Sequence, residues 1–221
     1  VDFLMNYGDL YLGKTTVLCK DTPAFIANRV GVFGMMSIMN LMDKMKLTID
    51  EIEALTGPII GRPKSATFRT GDVVGLDTLV KVAKGVAENC PNDEAKDIFA
   101  IPSWLNKMLE NNWLGDKTGQ GFFKKNKGAG GEKEILTLNL QTMEYGPRVK
   151  PKFASVEAAK PIDDLKTRLK MLCSGTDKAG EFLQSAAGQA IKSAVRQAAG
   201  QLGRQLVRGL MGSLLGSKKR R

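Results

Sequence analysis

The side chains of this chain that could do chemistry are limited first by an absence: its 221 residues contain no histidine. Ser–His–Asp and Cys–His nucleophile activation are therefore excluded within the chain, and so is any imidazole metal ligand. The side chain that most readily exchanges a proton near neutral pH is also missing. Chemistry carried by these residues alone would rest on carboxylates, Lys or Tyr. The three cysteines (Cys19, Cys90 and Cys173) are odd in number and far apart, with no C-x-x-C pair. That argues against a disulfide framework or structural zinc site. A reducing intracellular setting, cytoplasmic in the simplest case, fits better.

Two short stretches carry site-like spacing. Gly8 to Thr15 reads G-D-L-Y-L-G-K-T and satisfies a phosphate-loop pattern letter by letter. A working phosphate loop leads from a strand into a helix, whose first N–H groups cradle the anion. Here the order is reversed, with helical spacing before Gly13 and β-branched residues after Lys14. The expectation is a helix-to-strand turn in which Gly13 stops the helix. The second stretch, K-D-T-P-A-F-I-A-N-R-V-G, places Asn28 in the first turns of an otherwise apolar helix. Its carboxamide is either a buried side chain bonded to a neighbouring carbonyl or a group aimed at a ligand.

The elements that must position these residues read as mainly helical. Apolar residues at helical spacing predict a helix over residues 2–12, followed by a short strand at 15–19. Thr22 with Pro23 reads as the start of a long helix running to Met45, apolar around most of its circumference and therefore buried. Thr48 caps a short helix with Asp50 and Glu51 in its first turn. Gly57, Pro58, Gly61 and Pro63 mark a loop. Helical patterns return over 72–88 and 102–112, where Trp104 and Trp113 read as core or interface anchors. T-G-Q-G-F-F-K-K then forms a turn and a short extended piece. Residues 126–131 read as a flexible break. Alternation over 134–140 predicts a strand, paired with Met143–Tyr145 as a hairpin within 134–145. A helix over 155–173 is interrupted at Pro161.

The net charge of +10 is uneven. Residues 182–221 hold eight Lys or Arg and no Asp or Glu, which leaves +2 for the first 181. The chain is a near-neutral body with a cationic tail, not a uniformly basic nucleic-acid binder. Within the tail Ile191, Val195, Ala198, Leu202, Leu206, Leu210 and Leu214 fall on one helical stripe. A long basic amphipathic helix of this kind suits an anionic membrane, nucleic acid or a partner helix. It lacks the aromatic interleaving of a single-strand binder. No apolar run is long enough to span a membrane, and no secretory leader opens the chain. Val1 opens in mid-pattern, as a truncated or processed N-terminus would.

Three spaced motifs carry a resemblance. G-K-T-T-V-L-C-K-D-T-P-A-F-I-A-N-R-V resembles the junction in 3-hydroxyacyl-CoA dehydrogenases between the NAD domain and the helical C-terminal domain. I-G-R-P-K-S-A-T-F-R-T-G-D-V-V-G-L-D-T resembles that domain's substrate-side loop and next helix. L-G-D-K-T-G-Q-G-F-F-K-K resembles its ending. The likeness covers about residues 1–125, and residues 126–181 are similar to the linker of larger multifunctional members that also carry an enoyl-CoA hydratase module. The tail faintly resembles the end of HerA-like ATPases.

The resemblance implies a helical domain of the 6-phosphogluconate dehydrogenase C-terminal-like type. It also implies an organisation in four parts: an NAD-domain remnant (1–20), the helical domain (21–125), a linker with hairpin and helix (126–181) and the tail (182–221). The implied activity is NAD-dependent oxidation of 3-hydroxyacyl-CoA in fatty acid β-oxidation, with acyl-CoA as substrate. Self-association, or packing with a second C-terminal repeat, is implied as well. Asn28 matches the family's active-site asparagine and is implied to bond near the reacting oxygen or its proton acceptor. Gly61, Arg62 and Pro63 fall on the substrate-facing loop. Ala24 stands where the family more often has Gly. The family's glycine-rich NAD fingerprint and catalytic histidine are absent, so NAD is expected with the parent enzyme and not with this chain alone, which is expected to be inactive by itself. The other reading is a non-catalytic interaction module that acts through its tail.

Overall fold

A computed structural model describes residues 1–93, 95–127 and 133–185. The tail helix and part of the 126–131 break lie outside the described residues. The fold is mainly helical, as the spacing predicts. Helices α1 (Asp2–Leu10), α2 (Ile26–Met45), α3 (Ile49–Thr56), α4 (Phe68–Val74), α5 (Leu76–Asn89) and α6 (Ser103–Glu110) precede a small sheet. Strands β1 (Phe123–Lys127), β2 (Lys133–Asn139) and β3 (Glu144–Pro147) form an antiparallel meander. Helices α7 (Ala154–Ala159), α8 (Leu165–Ser174) and α9 (Lys178–Gln184) follow.

No strand forms at 15–19. Thr16 folds back on α1 instead: its amide donates to Asp9 Oδ1 at 2.8 Å and its hydroxyl to the same oxygen at 3.0 Å. A β-branched run without a neighbouring strand has no ladder to join. The phosphate-loop pattern is thus a helix followed by a turn, with Gly8 buried inside α1 and Gly13 in the left-handed region at φ 59°.

The start of α2 also departs from expectation. Phe25, not Thr22, is the residue that flanks the helix, because Ala24 turns the chain at φ 64°. An L-residue with a Cβ adopts this conformation at a cost of roughly 1–2 kcal/mol. That is a physical reason for glycine to be commoner here. Nor is α2 buried throughout. Met36, Ile38, Met39 and Met42 lie in the core, whereas Phe25, Ile26 and Val30 at its start are exposed.

The core forms where the second half of α2 meets α5 and the 3₁₀ turn Lys96–Phe99. Asn40 on α2 fastens that turn by donating to the Ile98 carbonyl at 3.1 Å. Ile52, Leu55, Phe68, Leu105 and Met108 complete the interior. Trp104 is a core residue: it packs edge-on against Phe122 and its indole N–H donates to Asp43. Trp113 lies against Tyr145. Helix α3 starts as read, with Thr48 and Glu51 forming a reciprocal capping box. The single helix expected over 72–88 is two, divided at Gly75.

Two buried carboxylates hold the sheet to the helices. Asp50 on α3 accepts from Thr137 Oγ1, Arg148 Nε and the Val149 amide, at 3.1, 3.2 and 2.8 Å. Asp72 on α4, 1% exposed, accepts the amides of Phe122 and Phe123 at 2.8 and 2.9 Å. The approach at Asp72 is close enough to demand glycine. A Cβ on Gly121 would stand 2.2 Å from Asp72 Oδ1, and one on Gly115 would stand 2.3 Å from the Asp72 carbonyl.

Burial pushes the Asp72 carboxyl up from 3.8 to about 6, against the lowering effect of the two amides. The unfolded group titrates lower, so between those values the folded state holds more protons and loses stability as pH rises. Urea unfolding from pH 4 to 7 should show the wild type's stability relative to Asp72→Asn falling by about 2 kcal/mol across that window.

Candidate functional site

Asn28 lies in the first turn of α2 with its side chain exposed. No hydrogen bond to its carboxamide is formed among the described residues. The buried-asparagine alternative therefore fails. Its one donor group and one acceptor oxygen are open to a ligand. The residue beside it is committed. Arg29 donates to Cys90 Sγ at 3.2 Å and to Thr22 Oγ1 at 3.4 Å, so it bridges α2 to the end of α5 without forming an ion pair. Thr22 serves that arginine and does not cap the helix. Around Asn28 the surface is apolar: Phe25 is 80% exposed, and Ile26 and Val30 are exposed too.

The loop after α3 is held by its own internal contacts. Pro58–Ile60 forms a 3₁₀ turn that ends on Gly61 at φ 78°. A side chain at Gly61 would meet Leu165 of α8 at 2.8 Å, so the glycine lets α8 approach. Arg62 turns inward. Its guanidinium donates to Thr67 Oγ1 and to the Ala66 carbonyl, both at 3.1 Å. Thr67 Oγ1 donates in turn to Thr56 Oγ1 at 2.8 Å. Burial lowers the Arg62 pKa, partly offset by Glu53. Pro63 is exposed. Among the described residues no hydrogen bond joins Asn28 to residues 61–63. Arg62 holds its own loop closed, and of the named residues Asn28 alone offers an unengaged polar group.

Sequence reasoning missed the carboxylates that set this frame. Glu53 on α3 accepts the amides of Thr67 and Phe68 at 3.0 and 2.6 Å, capping α4 from another helix; burial raises its pKa despite these bonds. Asp72 and its two glycines, Gly115 and Gly121, were visible only as letters within R-T-G-D-V-V-G and L-G-D-K-T-G-Q-G-F-F. Their pairing is a tertiary fact with no local signal. Among the described residues no cluster of three or more His, Cys, Asp or Glu could hold a metal ion, and no helix is long and apolar enough to cross a membrane.

The family model for the 3-hydroxyacyl-CoA dehydrogenase C-terminal domain matches residues 25–125. Over those residues the chain is similar to that family. The matched segment runs from the flank of α2 into β1 and contains Asn28, the 61–63 loop and the Asp72 clasp. A "Probable 3-hydroxyacyl-CoA dehydrogenase" of Bacillus subtilis is 45% identical over 189 residues, covering 86% of this chain and 23% of the relative. That likeness extends well beyond the matched segment itself. The human mitochondrial hydroxyacyl-coenzyme A dehydrogenase is 37% identical over 114 residues, covering 51% of this chain and 35% of the relative. The crystal structure of M. tuberculosis FadB2 is similar at 27% identity and a TM-score of 0.45, over 55% of this chain and 41% of that one. The chain spans between about a quarter and a third of the length of these curated relatives. The family-model match and the two sequence relatives do not favour the reading of the body as a non-catalytic interaction module.

Because Arg62 ties Ala66 and Thr67 from a half-buried position, Arg62→Ala should lower unfolding free energy by about 1–2 kcal/mol. Arg62→Lys should recover only part of it, since one ammonium cannot reproduce the forked contact. Chemical denaturation of the two variants checks this.

Proposed function

We propose that this chain is the substrate-side part of an NAD-dependent 3-hydroxyacyl-CoA dehydrogenase that oxidises 3-hydroxyacyl-CoA to 3-oxoacyl-CoA in fatty acid β-oxidation. The observation that carries the reading is the match of residues 25–125 to the family's C-terminal domain, with Asn28 unengaged on an open face. In this reading Asn28 is the catalytic residue supplied here: its carboxamide bonds near the reacting oxygen, or to the proton acceptor, and holds their geometry. The proton acceptor itself comes from outside this chain, which has no histidine. Gly61 and Pro63 contribute to the substrate side by shaping a loop that Arg62 keeps closed.

The Gly8–Thr15 stretch does not fit the phosphates of a dinucleotide. Gly8 lies inside α1 with Thr16 packed against it, so the Gly8–Thr15 stretch offers no strand-to-helix phosphate cradle. NAD, when bound in the parent enzyme, accepts the hydride; this chain's part is to present Asn28 and shield the site from water. The parent organisation we infer has residues 1–20 as the edge of an NAD domain, 21–125 as the helical domain, 126–181 as a linker and 182–221 as a tail. The apolar residues around Asn28 support a covered face, through self-association or packing with a second C-terminal repeat. A cytoplasmic location is part of the same reading.

In the full-length enzyme Asn28→Ala should lower kcat for a 3-hydroxyacyl-CoA by about 100-fold. Its melting temperature should move by no more than about 2 °C, because the Asn28 side chain makes no hydrogen bond that holds the helical domain together among the described residues. Parallel losses in turnover and stability would assign Asn28 to structure instead.

A further inference from the structure

Between α3, the start of α4 and the sheet lies a cavity of about 660 Å³. Its wall carries five cations and three carboxylates, and every carboxylate is already engaged. Asp50 holds Thr137, Arg148 and Val149, and Glu53 holds the two amides that begin α4. Asp116 receives both guanidinium nitrogens of Arg69, at 2.6 and 2.8 Å. That pairing, with help from the nearby charge of Lys125, holds the Asp116 carboxyl below its ordinary value.

Three cations remain. Lys64, Lys125 and Lys150 form no salt bridge among the described residues, and all three are exposed. They come from separate elements: the loop before α4, strand β1 and the segment after β3. The pocket therefore presents two positive charges in excess, delivered by ammonium groups carried on three separate elements. Beside them, Ala54, Ile135 and Val149 give an apolar wall, and the Arg148 guanidinium lies 5.0 Å over the Phe123 ring.

We propose that this cavity is a binding site for a phosphorylated small molecule: a phosphomonoester or diphosphate whose anionic head sits among Lys64, Lys125 and Lys150 and whose body rests on Ile135 and Val149. The charge excess matches a dianion. Several separate ammonium groups suit a phosphate approached from many sides, whereas a planar carboxylate is better met by one arginine fork. Both arginines in the wall are already paired. The site uses none of the residues around Asn28 and does not rest on the dehydrogenase reading.

Titration calorimetry on the full chain at low salt tests this with two probes, inorganic pyrophosphate and adenosine 3′,5′-bisphosphate. Saturable one-site binding is expected. Lys125→Glu with Lys150→Glu should weaken it by about tenfold or more. Lys218→Glu with Lys219→Glu makes the same change of charge in the tail and should leave it nearly unaltered. Tighter binding of the bisphosphate than of pyrophosphate identifies a nucleotide-bearing ligand, and equal binding identifies the phosphate head alone. Lys64→Glu, on an exposed loop, repeats the test should the double variant not fold. Absence of saturable binding by both probes, or a loss in the tail variant as large as in the pocket variants, overturns the proposal. Neither result bears on the turnover of Asn28→Ala.

Discussion

A carboxylate with almost no access to water accepts two consecutive backbone amides, and the domain closes around that contact. Asp72 receives the N–H groups of Phe122 and Phe123 at the point where the chain enters the sheet. Both neighbouring amides would otherwise be buried without acceptors, at a cost of about 1–3 kcal/mol each. The contact can form only because Gly121 and Gly115 leave room for Asp72 from either side. Once it is made, Phe122 reaches the core against Phe68 and Trp104. Tyr145 of β3 can then donate to the Gly121 carbonyl, at 2.5 Å. Outer ion pairs lie around the same clasp: Arg69 with Asp116, and Lys117 with Asp77. They are exposed and contribute little by comparison.

This closure explains why the two ends of α2 differ. Its second half is committed to the interior, with Met36, Ile38, Met39 and Met42 buried where the helix meets α5 and the Lys96–Phe99 turn. Its first turns project beyond that contact and carry Phe25, Ile26, Asn28 and Val30 into the open. A rigid base with an uncovered polar group at its end suits a site completed by other protein, because the geometry of Asn28 is set by the helix and not by a mobile loop. Arg29, bonded to Cys90 and Thr22, keeps the exposed start of the helix oriented.

What could be read from the residues divides along the range of the forces involved. The capping box at Thr48 and the break near Pro161 are local, and both are where propensity places them. The strand expected at 15–19 rested on β-branched content alone, and without a partner strand that content joins no ladder. Helix α2 begins at Ile26 and not at Pro23 because Ala24 takes a left-handed turn, which spacing does not reveal. Arg62 illustrates the same limit: its two internal acceptors, Thr67 and Ala66, carry no local signal in a glycine-proline loop. Periodicity left Asn28 open between a buried and a ligand-facing side chain, and its exposure is set by where α2 leaves the core. The amphipathic helix expected in the tail falls on residues outside those described.

The account turns on the Asp72 clasp being a core contact and not a surface loop contact. Amide hydrogen exchange resolved at single residues tests that most directly. The Phe122 and Phe123 amides should exchange only on global unfolding, as slowly as the amides of Met39 and Leu79 in the helical core. Exchange at those two positions on the faster timescale of local opening, while Met39 and Leu79 remain protected, would contradict it.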